Sequence, residues 1–216
     1  MSKQERATRT RNALILSAAN LFDQHGYTRT SLEEISNRAG VSRGALHFHF
    51  PNKAALADAI EHTAARTLHH TAHPTPPAKV SALQHLMDLT HRMIHLLHHD
   101  ITVRAAFRLT HDPGPRTHDL RHQWHTYIHQ LTTQAAREHA LTPQTTPEAL
   151  TTTITATTTG LEILTRTNPH ILTPAPLTHF WRLLLPTIAH PHTLPTLHPN
   201  GSPAPANTLN TPTTLN

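Results

Sequence analysis

Cysteine is absent from this 216-residue chain, which excludes disulfide scaffolds, thiolate metal sites and cysteine nucleophiles together. Glycine is scarce. Six residues in all leave little material for a glycine-rich phosphate loop, and no H-E-x-x-H string occurs. The 23 histidines are too many and too scattered to single out a catalytic base. No catalytic residue, metal ligand or cofactor is assigned, and an enzyme is not expected. Charged residues make up only 14%, too few for a long charged coiled coil. No apolar run approaches the roughly 18 residues a membrane span needs. Nor does an apolar segment resembling a secretory signal follow Met1-Ser2-Lys3-Gln4-Glu5-Arg6. The expectation is a soluble, cytoplasmic protein with no membrane partner.

A hydrophobic fraction of 37% is still enough to bury a core, in one large domain or two small ones. The net charge is +5, but its placement says more than its total. Lys3, Arg6, Arg9 and Arg11 face Glu5 alone in the first twelve residues. Such a basic arm suits nucleic acid, and equally a solvated terminus. Threonine and histidine accumulate after residue 70 and read first as drift at surface positions.

Apolar residues recur at helical spacing and nowhere alternate with period two over a useful length, so the fold class is all-α. Leu14, Ala18, Leu21 and Phe22 mark a first helix ended by Gly26. Both Thr30 with Glu33 and Ser31 with Glu34 fit a capping box for a second helix. That helix buries Leu32, Ile35 and Ala39 and stops at Gly40. Ser42 suits the cap of a third helix and Asn52 that of a fourth, with Pro51 between them. Residues 71–77 read as a linker. Beyond it lie stripes on Leu83 to Leu97, Leu120 to Ala135, Leu150 to Leu164 and Leu177 to Ile188. A short helix spans Ile101 to Leu109. The stretch 191–216 has no period and is expected to be a disordered tail.

Residues 31–50 form a helix, a tight turn at Gly40 and a second helix, which is helix-turn-helix spacing. Ile35, Val41 and Leu46 are placed to lock the two helices at a fixed angle. Arg43 falls in the first turn of the second helix, where side chains reach base edges. The small pair Gly44-Ala45 permits close approach to a groove, and Ser42, His47, His49 and Lys53 could hold phosphates. A plain helical hairpin shares this spacing, so spacing alone leaves both readings open.

The stretch from Thr30 to Lys53, with Ala39-Gly40-Val41-Ser42 at its centre and Leu46-His47-Phe48-His49-Phe50 after it, resembles the TetR family of bacterial repressors over about residues 8–60. One departure is His47, where the family usually has tyrosine. The resemblance implies a homodimer on a double-stranded, pseudo-palindromic DNA operator, with recognition helices about 34–36 Å apart. It divides the chain into a DNA-binding domain at 1–55 and a helical regulatory and dimerisation domain at 56–190. The implied DNA-binding residues are Arg9, Thr30, Ser42, Arg43, Gly44, Ala45, His47, Phe48, His49 and Lys53. The family's dimer interface would fall on residues 147–167 and 174–188, with Leu161, Leu164, Phe180, Trp181 and Leu184 as candidates.

Three segments look like the γ-butyrolactone (autoregulator) receptor branch. They are Arg43 to Leu46 with Phe48 to Pro51, then Val103 to Thr110, then Phe180 to Pro186. That branch lines its ligand pocket with a tryptophan, and Trp124 is the matching position. Gln123, Tyr127, Thr157 and Thr158 are the accompanying ligand candidates, for a small butyrolactone-like inducer. An antibiotic-responsive pseudo-receptor or efflux regulator is the alternative within the family. Metal sensing through His118, His122, His125 and His129 is the alternative outside it. These histidines lie about 200° around the helix from Leu120 and Trp124 and so face away from the apolar stripe.

Overall fold

In the computed structural model, which describes residues 2–74, 80–112, 117–166, 168 and 173–202, these residues form nine α-helices and no strand. In order they are α1 (Lys3–His25), α2 (Leu32–Ala39), α3 (Arg43–His49), α4 (Lys53–Ala72), α5 (Ala82–His99), α6 (Ile101–Leu109), α7 (Leu120–Arg137), α8 (Pro147–Thr165) and α9 (Pro174–Ile188). The all-α expectation holds.

The basic start is not an arm. Ser2 Oγ accepts from the Glu5 amide at 3.2 Å while the Glu5 carboxylate accepts from the Ser2 amide at 2.6 Å, a capping box that begins α1 at Lys3. Leu14, Ala18 and Phe22 form its fully buried side. The helix ends at Gly26, whose φ of +80° disfavours any side chain. A Cβ there would also stand 2.9 Å from Asp112 Oδ2, the oxygen that accepts from the Tyr27 amide at 2.6 Å. Of the two capping boxes open to α2, the chain uses Ser31 with Glu34.

α1, α2 and α3 pack on one another, and α4 leaves this unit to pack against α6 and α7. The division expected at 55/56 therefore falls inside a continuous helix. The expected linker begins within α4, whose last residue is Ala72, and residues 75–79 lie outside those described. α5 lies at the centre of the regulatory body, touching α4, α6, α7, α8 and α9. The threonine-rich α8 satisfies its hydroxyls on its own carbonyls: Thr151 on Pro147 at 2.7 Å, Thr153 on Ala149 at 2.8 Å and Thr158 on Ile154 at 2.9 Å.

The disordered tail expected from residue 191 is corrected for 191–202. The His198 amide donates to Gln84 Oε1 and the Ser202 amide to Asp88 Oδ1, each at 2.7 Å, and Leu197 is buried. Two buried polar side chains of α5 thus hold the segment by its backbone. Residues 203–216 lie outside the described residues.

Candidate DNA-reading surface and sensing pocket

The turn between α2 and α3 rests on Gly40, which adopts the left-handed conformation at φ +66°, ψ +31°. Ser42 follows in extended geometry and its Oγ accepts from the Ala45 amide at 3.2 Å, capping α3. Gly40-Val41-Ser42-Arg43-Gly44 does spell G-x-S-x-G, the letters of a hydrolase nucleophile elbow. Here they form a helix-to-helix turn with the hydroxyl engaged as a cap, whereas that elbow needs a preceding strand. Ile35 and Leu46 are fully buried and Phe50 nearly so, which fixes the angle of α3 against α2 and α1. Arg11 lies over the Phe50 ring at 5.2 Å, tying α1 to the end of α3.

This packing presents Arg43, Gly44, His47 and Phe48 to solvent along the outer face of α3, with Ala45 and His49 half-buried beside them. Phe48 is 83% exposed, its ring edge-on to His49 at 5.2 Å. Leaving a phenylalanine outside forgoes about 1.5–3 kcal/mol of burial, which fits a surface that meets a partner. Arg9 stands on the exposed side of α1.

Two of the expected DNA contacts turn inward. Thr30 is 2% exposed, and its hydroxyl donates to the Gly26 carbonyl at 2.9 Å. Lys53 Nζ donates to the carbonyls of Tyr27 and Thr30, each at 2.8 Å, and sits 4.4 Å from the centre of the Tyr27 ring. Both residues clamp the 26–30 turn onto α4. They shape the reading surface without forming its face.

In the regulatory body Trp124 is 3% exposed and its Nε1 donates to Thr158 Oγ1 at 2.9 Å. These two residues share a void of only about 10 Å³ with Met93, Phe107, Arg121 and Glu162. Thr159 lines the void; the expected Thr157 is a half-buried neighbour outside it. Arg121 and Glu162 escaped the sequence reading, although each falls one helical turn from an expected residue, on the faces of Trp124 and Thr158. Arg121 Nη2 meets Glu162 Oε2 at 2.9 Å and Arg166 Nη2 meets Oε1 at 2.7 Å. Burial alone would raise the Glu162 carboxyl. Hydrogen bonds and charge from the two arginines outweigh it and hold the group below its ordinary value.

Gln123 and Tyr127 face elsewhere. Gln123 Nε2 donates to the Ala65 carbonyl at 3.2 Å and to the Tyr127 hydroxyl at 2.7 Å, and that hydroxyl lies 3.2 Å from His69 Nδ1. They join α7 to α4, beside a cavity of about 240 Å³ bordered by His73, His85 and Leu89.

On the outer side, Leu164 and Leu183 are 51% and 79% exposed, while Leu161, Phe180 and Leu184 are partly buried. Trp181 is corrected from interface to core: it is fully buried and its Nε1 donates to Thr90 Oγ1 at 3.0 Å. Among the described residues no three His, Asp or Glu side chains gather as a metal site, and no helix is long and apolar enough to cross a membrane.

A buried helix-turn-helix frame with an exposed reading helix, joined through α4 and through the packing of α1 on α6 to a second helical body, defines a DNA-binding transcriptional regulator. Residues 14–60 match the model of the tetR family of bacterial regulatory proteins. The chain is 30% identical over 209 residues to the A-factor receptor protein of Streptomyces griseus, across 93% of this chain and 71% of that one. It superposes on a crystal structure of a γ-butyrolactone receptor (ArpA-like protein) with TM-score 0.76 and 27% identity, covering 88% of this chain and 93% of that one. CprB from Streptomyces coelicolor in complex with its operator sequence gives TM-score 0.76 and 29% identity over 88% and 94% of the two chains. The chain belongs to the TetR family of transcriptional repressors.

Proposed function

We propose that this repressor sits on its pseudo-palindromic operator as a homodimer in the cytoplasm, controls secondary metabolism, and leaves the DNA when a small lipophilic signal of γ-butyrolactone type binds beside Trp124. The observation that carries this reading is the buried Trp124–Thr158 pair in a chain similar to butyrolactone receptors: a flat ring able to face a lactone's acyl body, and a hydroxyl that would exchange its bond to the Ile154 carbonyl for one to the lactone carbonyl. The Arg43, Gly44, Ala45, His47, Phe48 and His49 face of α3 meets the DNA, with Ser42 and Arg9 at its margins. Exposed Leu164 and Leu183 supply the dimer contact. Release follows from population shift: moving an operator-competent population from 99:1 to 1:99 requires a ligand preference of about 5.5 kcal/mol between the two conformations.

A second reading, a regulator responding to an antibiotic, is favoured by the Arg121–Glu162 pair in the wall of the Trp124 void, which suits a more polar ligand. The test is fluorescence anisotropy on labelled DNA from upstream of the protein's own gene. It is titrated with synthetic acyl γ-butyrolactones, with organic extract of culture medium, and with a panel of antibiotics. Release by a lactone, abolished in Trp124→Ala with operator binding intact, supports the first reading. Release by an antibiotic alone replaces it with the second.

A further inference from the structure

At the junction of α1, α5, α6 and α8 lies a cavity of about 420 Å³, bordered by Asp23, Leu97, Arg104, Arg108, Glu162 and Arg166. Arg104 pairs through Nε with Asp23 Oδ2 at 2.9 Å, and its Nη1 donates to the Leu97 and His98 carbonyls at 3.1 and 3.2 Å. Arg166 pairs with Glu162, and Arg121 meets the same carboxylate from the other side. Three guanidiniums thus border the cavity with two carboxylates, an excess of one positive charge, and Arg121 adds a fourth behind Glu162. Both carboxylates are answered, one by Arg104 and the other by two arginines. Arg108 has no carboxylate partner among the described residues; Nη1 donates to the Asp23 carbonyl.

Closing the ends of α1 and α5 uses only part of what these side chains offer. A guanidinium carries five N–H donors, and most of those on Arg104, Arg108 and Arg166 meet no protein acceptor among the described residues. Burial first, and then the charges of Arg121 and Arg166, hold the nearby His111 imidazole below its ordinary value. Crowding guanidiniums around one space is unfavourable unless an anion answers them. Planar N–H forks recognise carboxylate and phosphate oxygens in pairs.

We propose that this cavity is a binding site for a small organic anion, a carboxylate or phosphate head on a short body, separate from the Trp124 void. Its volume falls in the range of small-molecule sites, and Leu97 supplies an apolar wall. Glu162 divides the two spaces, turning Oε2 to Arg121 at the Trp124 void and Oε1 to Arg166 at this one. Because the cavity joins α1 of the DNA-reading unit to α6 and α8 of the body, its occupant would brace the two parts against each other.

The test is the thermal unfolding midpoint of the full-length protein, titrated with inorganic phosphate, citrate and octanoate at constant ionic strength set with chloride. A saturable rise is expected with at least one probe. Phosphate alone identifies a phosphate head; citrate or octanoate identifies a carboxylate. Arg108→Gln should weaken the apparent affinity at least tenfold, Arg108→Lys should restore part of it, and Trp124→Ala should leave it unchanged. Should Arg108→Gln lose its helical circular dichroism, Arg166→Gln carries the same expectation. No saturable rise over chloride, or a rise that survives both glutamine variants, overturns the site. The lactone response depends on Trp124 and this one on Arg108, so the failure of either is distinguishable from the failure of the other.

Discussion

Lys53→Met separates two roles that one cation at the start of α4 could have. If Lys53 held a phosphate, its removal would leave the free protein as stable as before. Operator binding would weaken across all sequences, and the salt dependence would flatten by about one per subunit. In the structure the ammonium is committed to the Tyr27 and Thr30 carbonyls and to the Tyr27 ring. A charged hydrogen bond contributes about 1.5–3 kcal/mol and an exposed cation–π contact about 0.5–1 kcal/mol. Lys53 is half-buried, so the low ends apply, and methionine keeps the stem's packing. With two such bonds and one ring contact, the expected loss is about 3.5 kcal/mol. For a protein of this size that lowers the midpoint by about 7–14 °C. Calorimetry at fixed protein concentration measures the loss, and anisotropy across a salt series measures the slope. An unchanged midpoint together with a flatter slope would refute the anchor and return Lys53 to the DNA face.

Arg43→Ala should cost about 1–3 kcal/mol of operator binding and relax specificity at one base pair if Arg43 reads a base edge, as competition with singly substituted operators will report. Glu162→Gln should lower stability by about 3 kcal/mol at pH 7 because it leaves Arg121 and Arg166 without their carboxylate. The fold holds Glu162 below its ordinary value, so its contribution is complete above the usual carboxylate range and fades as pH falls through the depressed one. A pH series of unfolding midpoints should therefore show a weaker acid dependence in the variant, and identical curves would remove Glu162 from the account. Leu183→Glu places a charge on a residue 79% exposed in the single chain. It should shift sedimentation from dimer to monomer with helicity unchanged, whereas an intact dimer would move the interface elsewhere.

The helix-turn-helix was readable from sequence because each of its requirements is local. Ser31 and Ser42 stand one residue before their helices, Gly40 occupies the one left-handed position, and Leu32, Ile35 and Ala39 repeat at helical spacing. The inward turns of Thr30 and Lys53 were not readable, since both depend on the 26–30 turn meeting a helix that starts more than twenty residues later. On α9 the run Phe180-Trp181-Arg182-Leu183-Leu184-Leu185 is apolar at nearly every position, so periodicity cannot choose a face. The fold turns Leu177, Trp181, Leu185 and Ile188 inward and leaves Leu183 outside. The 191–202 segment is held mainly through its backbone by Gln84 and Asp88, a mode of attachment with no hydropathy signature. Arg121 and Glu162 share the faces of Trp124 and Thr158 on α7 and α8, but a charged side chain on a mostly apolar stripe reads as solvated until its partner on the other helix is known.

α4 belongs to both halves of the molecule, which also meet where α1 packs on α6. Its first residue, Lys53, grips the turn that orients α2, and α3 follows directly from α2. One end of the helix therefore belongs to the DNA-reading unit. Toward the other end the Ala65 carbonyl accepts from Gln123 and His69 meets Tyr127, which ties that part of the helix to α7, the helix that carries Trp124. A 20-residue helix is about 30 Å long, and a tilt of about 5° at one end displaces the other by about 2.6 Å over that length. Hydrogen bonds near 2.8 Å weaken well before such a displacement is reached. The Lys53 clamp must therefore either follow the tilt, carrying the reading helix with it, or break. Operator affinity responds in both cases, so a change beside Trp124 need not propagate through a chain of individual side chains. It has only to tilt one rigid helix.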